Sequence, residues 1–128
     1  YLTYMPRGLK VGEQPIRRWV RKSIVIQNEG NYSDAHMFPY AYRFMKIGKL
    51  VGMPVPGTGT SVWWEGLQDD SMFFGIPQVG YLTNDGKFLE NNQVEPDIKV
   101  NNDPESSSKG KDLQLETSVK ELLKDLDK

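Results

Sequence analysis

Residues 23–53 read SIVIQNEGNYSDAHMFPYAYRFMKIGKLVGM, and this stretch decides the fold. Ser23–Gln27 is a short β-branched run with the character of a buried strand. After the turn-like Asn28–Asn31, the residues Phe38, Ala41, Tyr42 and Met45 fall at helical spacing and define one apolar face. Pro39 is tolerated in the first turn of a helix and clashes deeper inside. The helix is therefore predicted to begin near Ala35 or His36, with Ser33 and Asp34 in the bend before it. Lys49–Met53 follows Gly48 and reads as the next strand. Strand, helix and strand joined by short connections make a βαβ unit, with parallel strands and a right-handed crossover.

Working outward, PVPGTGT (54–60) is too rich in Gly and Pro for a regular element and is predicted as a loop. Ser61–Trp64, Met72–Phe74, Val79–Leu82 and Ile98–Val100 are short strand candidates, with a turn at Asn84-Asp85-Gly86. Residues 101–111, NNDPESSSKGK, read as a flexible polar linker. A last helix is predicted from about Asp112, which can cap it. Its apolar stripe is Leu115, Val119, Leu122, Leu123 and Leu126, suited to docking on this domain or on a partner chain. At the other end, residues 1–22 hold six basic groups against the single acid Glu13. That segment reads as a solvated loop or edge, or as a phosphate-binding arm without the dense basic run such an arm uses.

The 128 residues suffice for one domain. Sixteen basic and seventeen acidic residues give a net charge of −1, so no overall field points to nucleic acid. With no cysteine, disulfides, thiolate nucleophiles and Cys-based metal sites are excluded together. The single histidine, His36, excludes a histidine-rich metal centre, and no cofactor motif is visible. No apolar run approaches the roughly 18 residues of a membrane span. YLTYMPRG shows no signal peptide. Cytoplasm and periplasm both suit such a composition. With no initiator Met at position 1, the chain reads as part of something longer.

Ser33 lies where a strand meets a helix N-terminus, which displays a hydroxyl near free N–H groups and the positive end of the helix dipole. A nucleophilic serine uses that geometry, with the N–H of the next residue, Asp34, as an oxyanion donor. An ordinary N-cap has the same spacing. His36 is the only local base, three residues on, where its ring has difficulty reaching back; a packed or surface role is the alternative. PGTGT lacks the lysine of a phosphate loop. Trp63-Trp64 and Phe73-Phe74 either fill the core or line a peptide groove. Glu90 lies between Phe88-Leu89 and an Asn-rich turn, which by itself suggests a surface carboxylate.

Taken in order, IVIQNEGNYSDAHMF (24–38), IGKLVGMPVPGTG (47–59) and LENNQVEPDIKV (89–100) resemble the C-terminal half of the catalytic domain of tricorn-type serine peptidases. These belong to the wider family of C-terminal-processing (tail-specific) peptidases. The resemblance implies an α/β, crotonase-like (ClpP/crotonase) half-domain with a parallel βαβ core, short antiparallel strands and a C-terminal helix. It makes residues 1–100 the C-terminal portion of a catalytic domain, 101–111 a linker and 112–128 the terminal helix. It implies Ser33 as nucleophile, the Asp34 N–H as oxyanion donor and Glu90 as the acid of the relay. Peptides or unfolded proteins would be the substrates. In the processing peptidases the Gly-rich loop carries a lysine base; aligning Gly52, Gly57 and Gly59 puts Thr58 there, which favours a Ser–His arrangement. The histidine of that arrangement lies upstream of the nucleophile, and none precedes Ser33 here. The base is thus expected on a missing N-terminal half, or the chain is a non-catalytic peptide-binding module. A half-domain also exposes apolar surface, so self-association is expected.

Overall fold

The computed structural model describes residues 2–4, 8, 10–13 and 19–126. Its first elements are two short antiparallel strands, β1 (Leu2–Tyr4) and β2 (Lys10–Glu13). Of the basic N-terminal segment, Arg7, Arg17 and Arg18 lie outside the described residues.

The βαβ unit forms as predicted. β3 (Ile24–Gln27) leads through helix α1 (Asp34–Phe44) to β4 (Lys49–Gly52), and the strands pair in parallel with Ile24 opposite Lys49. Leu50 and Val51 are fully buried, which accounts for the apolar run in β4. The helix starts at Asp34 rather than near Ala35 or His36, so Pro39 sits in its second turn instead of its first, and is itself buried. The buried side of α1 is His36, Pro39 and Tyr42, whereas Phe38 and Met45 are exposed. The predicted stripe is thus corrected. The helix turns the ring of Tyr42 inward because its hydroxyl donates to the Ser23 carbonyl at 2.7 Å.

A third strand, β7 (Ile98–Lys99), extends the parallel sheet beside β4, giving the order β3-β4-β7. Asp97 explains how so short a strand holds its place. Its N–H donates to the Leu50 carbonyl at 2.8 Å, while its carboxylate accepts the Leu50 N–H at 2.7 Å. Gln27, also buried, donates through Nε2 to the carbonyls of Met53 and Val94 at 3.0 and 2.8 Å. Tyr42, Leu50, Val55 and Val94 form the core, and Val55 and Val94 exchange both backbone hydrogen bonds.

Thr60–Gly66 (β5) and Phe73–Gly80 (β6) form an antiparallel hairpin. Two strand candidates, Met72–Phe74 and Val79–Leu82, merge into β6, and the Asn84-Asp85-Gly86 turn follows it, closed by a Gly86 N–H to Thr83 carbonyl bond. The core reading of the aromatic pairs is overturned: Trp63, Trp64, Phe73 and Phe74 are each more than half exposed. A two-stranded ribbon has no second layer to cover its faces.

The polar stretch 101–111 holds a helical turn, α2 (Pro104–Ser108), capped by the Asp103 carboxylate on the Ser106 N–H, where composition suggests only a linker. Asp112 accepts the Leu115 N–H and starts α3 (Leu113–Leu126), as predicted. α3 lies against β3 and β4, and its fully buried side chains there are polar, with Leu113 and Leu122 half-buried beside them. Gln114 and Ser118 are buried, Gln114 Nε2 donates to the Val100 carbonyl, and Glu121 pairs with Lys49 at 3.3 Å. Leu115, Val119 and Leu123 of the predicted docking stripe face outward instead. No helix among the described residues is long and apolar enough to cross a membrane.

Candidate active site

Ser33 occupies the bend between β3 and α1 with φ 55° and ψ −116°. A residue with a Cβ is held at positive φ only when its surroundings impose it, at a cost of about 1–3 kcal/mol. Ser33 holds the N-cap position of α1, but its side chain makes no capping hydrogen bond. Its carbonyl starts the helix by accepting the N–H groups of His36 and Met37, and its own N–H donates to Thr58 Oγ1 at 3.1 Å. The Asp34 N–H, at the first position of α1, has no acceptor among the described residues. Such an N–H, at the positive end of a helix, is suited to an anionic oxygen.

The same bend opens into a cleft of about 460 Å³. Ser33, Thr58, Thr60 and Glu90 supply its polar lining, and Tyr32, Val62 and Pro77 its apolar lining. Glu90 accepts the Thr60 hydroxyl proton at 2.8 Å. The structure thus brings Ser33 and Glu90, 57 positions apart (90 − 33), onto one cleft. The Gly-rich loop makes this possible. A Cβ on Gly57 would stand 2.3 Å from the Asn92 backbone nitrogen, so only glycine lets the loop close on the segment that carries Glu90. Thr58 and Thr60, spaced two apart along that loop, then reach Ser33 and Glu90 respectively. The role of Thr60 was not predicted; its alternation with glycines in PGTGT was the available signal. Trp63, Trp64, Phe73 and Phe74 do not line the cleft.

His36 lies one turn beyond Ser33, fully buried, with neither ring nitrogen hydrogen-bonded, and it does not line the cleft. Burial lowers its pKa below the ordinary 6.5. The nearby backbone of Asn92, the Glu90 charge and the backbone of Thr58 oppose that shift without cancelling it. The folded chain therefore holds a neutral imidazole where the unfolded chain would bind a proton. Stability is expected to be level above about pH 6.5 and to fall as pH drops below it. Urea midpoints measured for the wild type and for His36→Gln check this: the slope below that pH should flatten in the variant. An unchanged slope would assign it to carboxylates.

The sequence model of peptidase family S41 matches residues 4–100. This chain belongs to peptidase family S41. It is 30% identical over 105 residues to a tricorn-like protease C-terminal subunit of Sulfurisphaera tokodaii, covering 81% of this chain and 12% of that protein. It is 26% identical over 122 residues to the tricorn protease of Thermoplasma acidophilum, covering 94% of this chain and 11% of that protein. The chain thus spans about a tenth of the length of these relatives. In three dimensions it resembles the crystal structure of the tricorn protease, with a TM-score of 0.75 at 26% identity over 82% of this chain and 10% of that one. Mature CPAF shares the fold, with a TM-score of 0.60 at 24% identity over 70% of this S41 chain and 18% of its own.

Proposed function

We propose that this chain is the C-terminal, nucleophile-bearing part of a crotonase-like peptidase catalytic domain, cutting peptides or unfolded proteins through a serine acyl-enzyme. The observation that carries this reading is the backbone of Ser33: positive φ at a strand-to-helix bend, a hydroxyl not used as a cap, and a cleft shared with Glu90. Membership of a peptidase family and the likeness to tricorn proteases support it.

Ser33 Oγ attacks the scissile carbonyl carbon while its proton passes to a base. Negative charge gathers on the carbonyl oxygen, where the Asp34 N–H donates to it. Collapse breaks the C–N bond, the base protonates the departing amine, and water later hydrolyses the Ser33 ester. Two details set what must come from beyond this chain. The Ser33 N–H is already engaged by Thr58, so the second oxyanion donor lies elsewhere. Thr58 carries no basic group and His36 is sealed from the cleft; the base is expected from outside this chain, a histidine as the likeness to tricorn proteases implies. Glu90, held by Thr60, orients the relay to that histidine.

A fluorophosphonate probe applied to the longer protein that contains this chain tests the assignment. Labelling is expected at Ser33 and is expected to vanish in Ser33→Ala. Labelling that persists in the variant would overturn it. Peptide binding by an unlabelled protein would instead support a non-catalytic peptide-binding module.

A further inference from the structure

Ser33 holds a backbone conformation that its own residue type does not favour. Its φ of 55° and ψ of −116° are those of the first central residue of a type II′ turn, a place dominated by Gly, Asn and Asp. The Ala35 N–H closes that turn on the Tyr32 carbonyl at 3.0 Å. Glycine at position 33 would form the same local bond, so that bond does not explain why serine is held there. Among the described residues, the hydrogen bond that reaches the Ser33 backbone from another element runs from its N–H to Thr58 Oγ1, at 3.1 Å. With α1 fixed, turning φ from 55° to about −60°, the usual value in a turn, swings that N–H through about 115° around the N–Cα bond (55 + 60). The bond to Thr58 therefore belongs to the left-handed form alone.

Thr58 can serve as a fixed point because its own loop is tied down. Its N–H donates to the Pro56 carbonyl at 3.0 Å, and the neighbouring Gly57 carbonyl accepts the Asn91 N–H at 3.0 Å. Asn91 directly follows Glu90, so the oxygen that holds Ser33 is anchored to the segment that carries the carboxylate. Thr58 is half-buried, whereas Ser33 is exposed and lines the cleft. We propose that Thr58 is a positioning residue, whose Oγ1 locks Ser33 in the left-handed backbone that presents its hydroxyl to substrate. This inference rests on the reading of Ser33 as the nucleophile. It gives Thr58 no proton to transfer. The effect of Thr58 is therefore expected on the rate of attack, and not on substrate binding or on the titration of the base.

Fluorophosphonate labelling and peptide hydrolysis by the longer protein that contains this chain test it. Thr58→Val keeps the β-branched shape and removes the acceptor, whereas Thr58→Ser keeps the oxygen. Thr58→Val is expected to slow both labelling and kcat about tenfold, the worth of one aligned hydrogen bond. KM and the pH profile are expected to stay as in the wild type, and labelling to reach one probe per chain. Thr58→Ser is expected to bring both rates back to within about threefold of wild type. Labelling of Thr58→Val at the wild-type rate would overturn the proposal and leave the reading of Ser33 standing. So would a lower final extent of labelling at an unchanged rate, since that reports lost folded protein and not lost alignment. Failure of Thr58→Ser to recover would sink it in favour of packing by the Thr58 methyl group. A wild-type protein that takes no label at Ser33 would remove the nucleophile reading itself, and this proposal with it.

Discussion

Ser33→Ala is expected to reduce peptide hydrolysis by the protein carrying this chain on the order of 10⁶-fold in kcat, with little change in KM. The loss is large because in the proposed mechanism the hydroxyl forms the covalent bond of the intermediate, and no neighbouring group can replace it. Thr58 and Thr60 line the same cleft, but the Thr58 oxygen holds the Ser33 N–H and the Thr60 hydroxyl is committed to Glu90. Glu90→Gln keeps the shape of the cleft and removes only the charge that steadies the proposed relay. Its expected loss is smaller, on the order of 10⁴-fold. Combining the two should cost little more than Ser33→Ala alone, because the acid acts only through the nucleophile's chemistry. Steady-state kinetics on an unstructured peptide measure all three. A Ser33→Ala protein with activity within tenfold of wild type would remove the proposed mechanism.

Gly52→Ala is expected to unfold the chain or bring its stability close to zero. Gly52 ends β4 with φ +126°, a conformation that side-chain-bearing residues rarely adopt. A Cβ there would also stand 2.0 Å from the Gln27 carbonyl oxygen, which is backbone and cannot swing aside. That carbonyl accepts the Met53 N–H, and Gly52 offers its own carbonyl to Val100. The clash therefore forces β3, β4 and the approach to α3 apart together. Conformational strain alone accounts for about 1–3 kcal/mol, and parting a buried parallel ladder adds to it. A domain of this size has only about 5–15 kcal/mol in hand. Thermal melts followed by circular dichroism check this; a transition within a few degrees of wild type would contradict it.

The βαβ unit was legible because β-branched runs and helical spacing depend on near neighbours in sequence. Which face of each helix is buried was not. Periodicity finds the apolar side, and the packed faces keep only part of it: α1 buries Tyr42 of its stripe but adds His36 and Pro39 while exposing Phe38 and Met45, and α3 buries Gln114 and Ser118. In each case the deciding bonds reach distant backbone, from Tyr42 to Ser23 and from Gln114 to Val100. The site shows the same division. Ser33 could be singled out by its place between strand and helix, yet spacing could not separate a nucleophile from a cap. What the structure adds is a backbone angle imposed from outside the segment, since serine itself does not favour it. Thr58 and Thr60 meet Ser33 and Glu90 across 25 and 30 positions. No local pattern encodes contacts of that range. Glu90, unremarkable by composition, was indicated only through the family resemblance.

The polar seat of α3 gives the chain two kinds of opening with different thermal signatures. Lifting α3 from β3 and β4 breaks the Gln114 to Val100 hydrogen bond and the Glu121–Lys49 pair, and the larger apolar side chains it wets on its own inward face are the half-buried Leu113 and Leu122. Opening the sheet wets Leu50, Val51, Val55 and Val94. Heat capacity of unfolding follows newly wetted apolar area, and polar exposure subtracts from it. Release of the helix therefore carries the smaller share of the heat capacity and denaturant slope, and loss of the sheet the larger. The helix can come and go as a local fluctuation beneath the global transition, without drawing on the core that holds the Ser33 bend in place.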